Sequence, residues 1–218
     1  MGPEAYHSVG GEPAEVSDGV PRLTDLSDEE LMVRYAKGEE TCFEVLLHRY
    51  RKALFSYLYR YLGRSDKAED VFQDVFYEII RARKRYRPNH KFAAWLFRIG
   101  RNRAVDRLRR NGFREMASLE EPLDPMEQEG HTKLATVPGT DPTPEELAQA
   151  MELKEAMEKA LANLPKEQSE VLWLKEKSGL TLAEIAGITG VTENTVKSRL
   201  RYALEKIRAN MAHMGFSP

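Results

Sequence analysis

Apolar residues along this chain recur at intervals of three and four, the spacing that lines up side chains on one face of an α-helix. Phe43, Leu46, Leu47, Tyr50, Leu54, Tyr57, Leu58 and Tyr61 follow that pattern. Thr41 with Glu44 three residues on predicts a capping-box start for this helix, and Gly63 predicts its end. A shorter helix before it starts at the Ser27-x-x-Glu30 box and stops at Gly38. Asp66-x-x-Glu69 opens a third, with Ala68, Phe72, Val75, Phe76 and Ile79 as its expected buried stripe. After a Pro88-Asn89 break, a fourth helix runs from about 92 to 110. No segment alternates at period two for long enough to form a strand, so this half reads as all-helical.

The pattern then lapses. Residues 112–142 hold Pro122, Pro125, Pro138 and Pro142 with few periodic apolar positions, which predicts a flexible linker. Thr143-Pro144-Glu145-Glu146 restarts the helices with an N-cap threonine, proline at the first position and glutamate at the third. Leu147, Ala150, Met151, Met157, Leu161 and Leu164 are the expected inner face. Pro165 starts a further helix ending near Gly179, Thr181-x-x-Glu184 caps a short one over 182–188, and Thr192 caps the last. The chain therefore divides into a leader (1–22), a helical domain (23–111), a linker (112–142) and a second helical domain (143–212). The fold class is all-α, two small helical domains joined by a flexible linker.

Composition narrows the function. The chain has 218 residues, 41% apolar and 31% charged, a lean profile that suits small helical units better than a thick enzyme core. No apolar run nears the length of a membrane span, and the N-terminus lacks the pattern of a secretory signal. The single cysteine, Cys42, precludes an internal disulfide, and the five histidines are scattered without metal-ligand spacing. These features predict a cytoplasmic protein that is no enzyme, with no metal, cofactor, membrane insertion or small-molecule substrate. Cys42, beside Phe43 at a helix start, reads as a small structural residue.

The net charge of −2 hides segregation. Residues 1–30 carry eight acidic groups against one basic; residues 49–110 carry eighteen Lys/Arg against six Asp/Glu; residues 114–147 carry nine acidic against two basic. A basic block between acidic ones suits a nucleic-acid-binding module flanked by segments that repel phosphate.

Two motifs add chemistry. In 181–207, TLAEIAGITGVTENTVKSRLRYALEKI, a short helix, a turn at Gly190 and a longer helix have helix-turn-helix proportions. At 100° per residue, Val196, Leu200, Leu204 and Ile207 form the expected core stripe. Asn194, Ser198, Arg201 and Tyr202 lie opposite, flanked by Lys197, a mixture suited to reading base edges in a major groove. In the first half, Asp70, Gln73, Asp74 and Tyr77 make an exposed acidic stripe, which repels DNA and suits a basic protein partner. The segment YRPNHKFAAWLFRIGRNRAVDRLRR interleaves arginines with Phe92, Trp95 and Phe97. Phe97 and Leu108 lie away from the cluster of Phe92, Trp95, Leu96 and Ile99, and aromatic rings off the core stripe beside phosphate-neutralising arginines suit the stacking of unpaired bases.

KAEDVFQDVFYEII, FAAWLFRIGRNRAVDRLRR and LTLAEIAGITGVTENTVKSRL, in that order and separation, closely resemble the extracytoplasmic-function sigma factors of RNA polymerase. The resemblance covers about 26–110 and 144–210. It implies that the first domain corresponds to sigma region 2 and the second to region 4, with no catalytic residues. It implies core RNA polymerase as partner, through the β′ clamp helices and the β flap, together with promoter DNA and an anti-sigma factor. Position by position, it places Asp70, Gln73, Asp74 and Tyr77 at the clamp helices. Arg87, Asn89, His90, Lys91 and Phe92 fall in the loop that captures a flipped −10 base. Trp95, Arg98, Arg101 and Asn102 fall on the helix that holds the unwound strand. Asn194, Lys197, Ser198, Arg201 and Tyr202 fall on the −35 recognition helix. Many members carry a basic residue where Tyr202 stands, a departure that bears on the −35 preference. The alternative reading is a dimeric helix-turn-helix regulator acting at an operator.

Overall fold

The computed structural model describes residues 22–112 and 143–216, and the leader and linker expected from sequence lie outside them save for Arg22 and Gly112. Among the described residues there are eight α-helices and no strand. They are α1 (Asp28–Ala36), α2 (Glu40–Leu62), α3 (Ser65–Ala82), α4 (Phe92–Gly112), α5 (Pro144–Ala162), α6 (Lys166–Ser178), α7 (Leu182–Thr189) and α8 (Glu193–His213). Short 3-10 turns stand at Leu23–Asp25 and Arg83–Arg85.

Local chemistry explains most boundaries. Ser27, Thr143 and Thr181 each accept the backbone N–H three residues on, and Glu30, Glu146 and Glu184 reach back to complete capping boxes. Gly63, Gly179 and Gly190 end α2, α6 and α7 in the left-handed conformation that glycine adopts without steric cost. Two expected boxes do not form. The Cys42 N–H bonds to the Glu39 carbonyl, so the first turn of α2 already encloses Thr41. Asp66 lies inside α3, its carboxylate taken by the Arg64 guanidinium at 3.1 and 3.0 Å.

Helices α1–α4 pack about Leu31, Met32, Leu46, Leu54, Leu58, Val75, Ile79, Leu96 and Phe97, all fully buried or nearly so. A side chain on Gly100 would stand 3.1 Å from Leu54 Cδ1, so a glycine there sets how closely α4 lies on α2. Arg49 of α2 bonds to Asp28 Oδ1 at 2.5 Å and to the Thr24 and Leu26 carbonyls at 2.6 and 3.0 Å, fixing the approach to α1.

In α5–α8 two expected faces are rotated. α5 turns Ala156 and Ala160 inward against Met211 and Ile207 of α8 and leaves Leu147, Met151 and Met157 exposed. Small alanines let the helices approach closely, which keeps the longer side chains outside. On α8 the inner row is Val196, Leu200, Ala203, Ile207 and Met211, and Leu204 is 53% exposed. Again the smaller side chain takes the tight contact.

The two helix groups are joined by one continuous buried cluster. Val171, Trp173, Leu174, Leu180, Ile185, Ile188 and Val196 pack in the same cluster as the core of α1–α4. α7 lies on α4, and α6 lies on α2.

Candidate nucleic-acid and polymerase interfaces

The acidic stripe forms because α3 buries Ala68, Val71, Val75, Phe76 and Ile79, which turns Asp70, Gln73, Asp74 and Tyr77 outward. All four are exposed, Tyr77 at 68%, and Ile80 one turn on is exposed as well. Asp70 is paired with Arg107 of α4, and Glu78 with Arg103. These two arginines, part of the basic helix in sequence, thus neutralise α3. Asp74 makes no ion pair with a described residue.

The loop before α4 is built on Tyr86 and Glu29. The Tyr86 hydroxyl donates to the His90 carbonyl at 2.7 Å, and its ring lies 5.3 Å from that of Trp95. Burial, followed by the Glu29 and Asp28 carboxylates, holds the Tyr86 phenol well above its ordinary pKa. Glu29 of α1 accepts the Phe92 N–H at 2.8 Å and caps α4 across the fold. Arg87, Asn89, His90 and Lys91 project from this frame and are exposed. Phe92, expected among them, is fully buried between Tyr50 and Tyr86. Its ring anchors the loop and is not open to a base.

Along α4, Arg98 and Asn102 are exposed and Trp95 is half-buried. Phe97 differs from expectation. It is fully buried, with Trp173 of α6 5.5 Å away and Tyr57 of α2 at the same distance. Leu108 is half-buried against the same core. Arg101 donates from Nε to Glu170 Oε1 of α6 at 2.9 Å, and the Tyr57 hydroxyl donates to that same oxygen at 2.8 Å. Glu170 is only 8% exposed. Burial and then the Glu170 carboxylate push the Tyr57 phenol far up. Lys91 Nζ stands 3.5 Å from Glu184 Oε2 of α7.

Tyr57 was expected only on the apolar face of α2 and Glu184 only in a capping box, and Glu170 and Trp173 had no assigned role in the sequence. One signal was present: Glu170 opens the run Val171-Leu172-Trp173-Leu174, all buried. A helix apolar over consecutive positions is covered on more than one side, so α6 required a second neighbour.

The third surface is simplest. Thr192 caps α8, Val196 and Ala203 point inward, and Asn194, Lys197, Ser198, Arg201 and Tyr202 are all exposed. The Ser198 hydroxyl donates to the Asn194 carbonyl at 2.9 Å. The Arg201 guanidinium lies over the Tyr202 ring, 4.7 Å from its centroid, and 3.8 Å from Glu205.

A helix-turn-helix with an open outer face, packed against a basic helix carrying a half-buried tryptophan, is the arrangement of a helical DNA-binding transcription protein. Comparison with known proteins narrows that class. Sigma-70 region 2 matches residues 46–114, and Sigma-70, region 4 matches 145–207. The ECF RNA polymerase sigma-E factor of Escherichia coli strain K12 is 31% identical over 182 residues, 84% of this chain and 93% of that protein. The ECF RNA polymerase sigma factor SigE of Mycolicibacterium smegmatis is 30% identical over 170 residues, 78% of this chain and 62% of that one. In fold, the chain is similar to CnrH in complex with the cytosolic domain of CnrY, with a TM-score of 0.55, 24% identity and coverage of 85% and 97%. It is similar also to the sigma factor RpoE of Bartonella quintana in complex with the anti-sigma factor NepR, with a TM-score of 0.57, 22% identity and coverage of 78% and 96%. The chain belongs to the extracytoplasmic-function sigma factors of RNA polymerase. Among the described residues no helix is long and apolar enough to cross a membrane.

Proposed function

We propose that the two helix groups divide promoter recognition between them. The α8 face of Asn194, Lys197, Ser198, Arg201 and Tyr202 reads the −35 element as duplex, while Arg87, Asn89, His90 and Lys91 capture a −10 base. Trp95, Arg98, Arg101 and Asn102 hold the unwound non-template strand. Asp70, Gln73, Asp74 and Tyr77 dock on the β′ clamp helices, and the second group engages the β flap. Catalysis belongs to the polymerase; this chain contributes binding and orientation, acts in the cytoplasm, and is held in check there by an anti-sigma factor.

The exposed α8 row is the observation that carries this reading. Guanidinium, ammonium, amide and hydroxyl groups stand on one free face, with Val196 and Ala203 anchoring the opposite one. Neither half needs to bind tightly, because polymerase tethers both and supplies the effective concentration. Extruding a base costs a few kcal/mol, offset by stacking at about 1–3 kcal/mol per base and by phosphate contacts.

Run-off transcription with purified core polymerase over a genomic fragment library tests it. Addition of this chain is expected to produce discrete start sites sharing paired −35 and −10 sequences. Starts that are no more defined than with core alone sink the reading.

A further inference from the structure

We propose that Tyr202 is a positioning residue for −35 reading, its ring the platform that holds the Arg201 guanidinium ready for one guanine. The inference rests on the reading of the α8 face as the −35 surface and says how one base of that element is selected.

Neighbouring residues on a helix point about 100° apart, so adjacent side chains do not ordinarily meet. Here they do. The Arg201 guanidinium folds over the Tyr202 ring, 4.7 Å from its centroid, where the negative face of the ring attracts the cation. From the next turn Glu205 brings Oε1 to 3.8 Å from Arg201 Nε. The guanidinium therefore has a ring against its plane and a carboxylate beside its inner nitrogen, while its terminal nitrogens hydrogen-bond to no described residue. A free terminal pair of N–H donors matches the two acceptors, O6 and N7, that guanine shows in the major groove.

The ring supplies what the ion pair does not. Arg201 and Glu205 are both exposed, and an exposed pair at this distance holds a long side chain weakly. A free arginine samples many rotamers, and ordering it on DNA opposes binding. Tyr202 has only two side-chain torsions, and its neighbour Ala203 is fully buried, so the ring stands on a fixed stretch of backbone. A basic residue at 202 would repel the guanidinium that the tyrosine attracts. The departure at 202 thus sharpens the contact made by Arg201.

Holoenzyme assembled from the full chain and core polymerase tests the platform, on a promoter recovered by run-off transcription and on its single-base −35 variants. Arg201→Ala locates the base pair that Arg201 reads, which is expected to be G·C. Tyr202→Leu keeps an apolar side chain but removes the ring face. It is expected to weaken binding roughly two- to tenfold where that base pair is intact, the range for ordering one flexible side chain, and to have little effect where it is replaced. Tyr202→Phe keeps the ring without its hydroxyl and is expected to match wild type. In an Arg201→Ala background, Tyr202→Leu is expected to change nothing further. Tyr202 is 48% exposed, so these variants are expected to keep the wild-type circular dichroism. The platform is overturned if Tyr202→Leu costs nothing, costs the same at every base pair, centres on a different one, or still acts without Arg201. It is overturned also if Tyr202→Phe loses as much as Tyr202→Leu, or if the base pair is not G·C. In all these cases a base pair marked by Arg201→Ala leaves the −35 reading standing. If Arg201→Ala marks none, that reading fails at Arg201 and the platform falls with it.

Discussion

Glu29 and Phe92 lie in different helices, yet the carboxylate of one caps the backbone of the other. Glu29 Oε1 accepts the Phe92 N–H at 2.8 Å, supplying α4 with the N-terminal acceptor that its own sequence lacks. The same glutamate sits beside the Tyr86 phenol. The loop before α4 is therefore positioned by α1.

Replacing Glu29 with alanine removes that acceptor and is expected to cost about 0.5–2 kcal/mol, the range for loss of a helix cap. Glu29→Gln retains an acceptor oxygen and is expected to lose less. Urea unfolding of both variants checks the order; equal losses mean the carboxylate acts otherwise than as a cap.

The exposed stripe of α3 makes a sharper prediction at Asp74 than at Asp70. Asp70 is engaged with Arg107, so reversing its charge also disturbs the contact between α3 and α4. Asp74→Lys is expected to prevent co-purification with core polymerase while leaving far-ultraviolet circular dichroism unchanged. Retention of polymerase binding by that variant refutes the assignment.

On α8, Arg201→Ala is expected to cost about 1–3 kcal/mol at one −35 base position and little elsewhere. Lys197→Ala is expected to weaken all sequences alike and to reduce the salt slope by about one. Holoenzyme binding to a panel of single-base −35 variants separates the two. A uniform loss for Arg201→Ala makes it a phosphate contact.

Alkali should unfold the protein through its tyrosines. Burial first, then neighbouring carboxylates, raises the phenols of Tyr57, with Glu170 beside it, and Tyr50, with Asp28 beside it. Burial also raises those of Tyr61 and Tyr86. A phenol whose pKa is higher folded than unfolded gives its full stabilisation below the unfolded value of about 10, and loses it as the pH climbs toward the folded value. This tyrosine contribution is expected to be constant below that point and to fall above it. Phenolate absorbance should rise together with loss of helix. Smooth titration of every tyrosine in a folded protein contradicts this.

Much of the fold was legible because its signals are local. The boxes at Ser27, Thr143 and Thr181 lie within four residues and close even at Glu184, whose carboxylate the distant Lys91 also reaches. The stripe Asp70, Gln73, Asp74, Tyr77 followed from the periodicity of α3, whose buried and exposed faces differ sharply. Asp66 failed as a cap because the Arg64 side chain claimed it. Phe97 and Arg101 were legible as lying off the main apolar row, but not in what covers them. Their partners, Trp173 and Glu170, stand in another helix group beyond the linker. Periodicity within α4 contains no term for that neighbour. On α8 it was size that went unread: Ala203 took the close contact and Leu204 the outside.

The mutual contact of Trp173, Tyr57 and Phe97 has an optical consequence. The chain contains two tryptophans, one in this cluster and the other, Trp95, on α4 beside Tyr86. All indole emission from the protein thus originates at the contact between the two helix groups or on α4. Its colour and quenching are expected to report any change at that contact or along α4 without any attached dye.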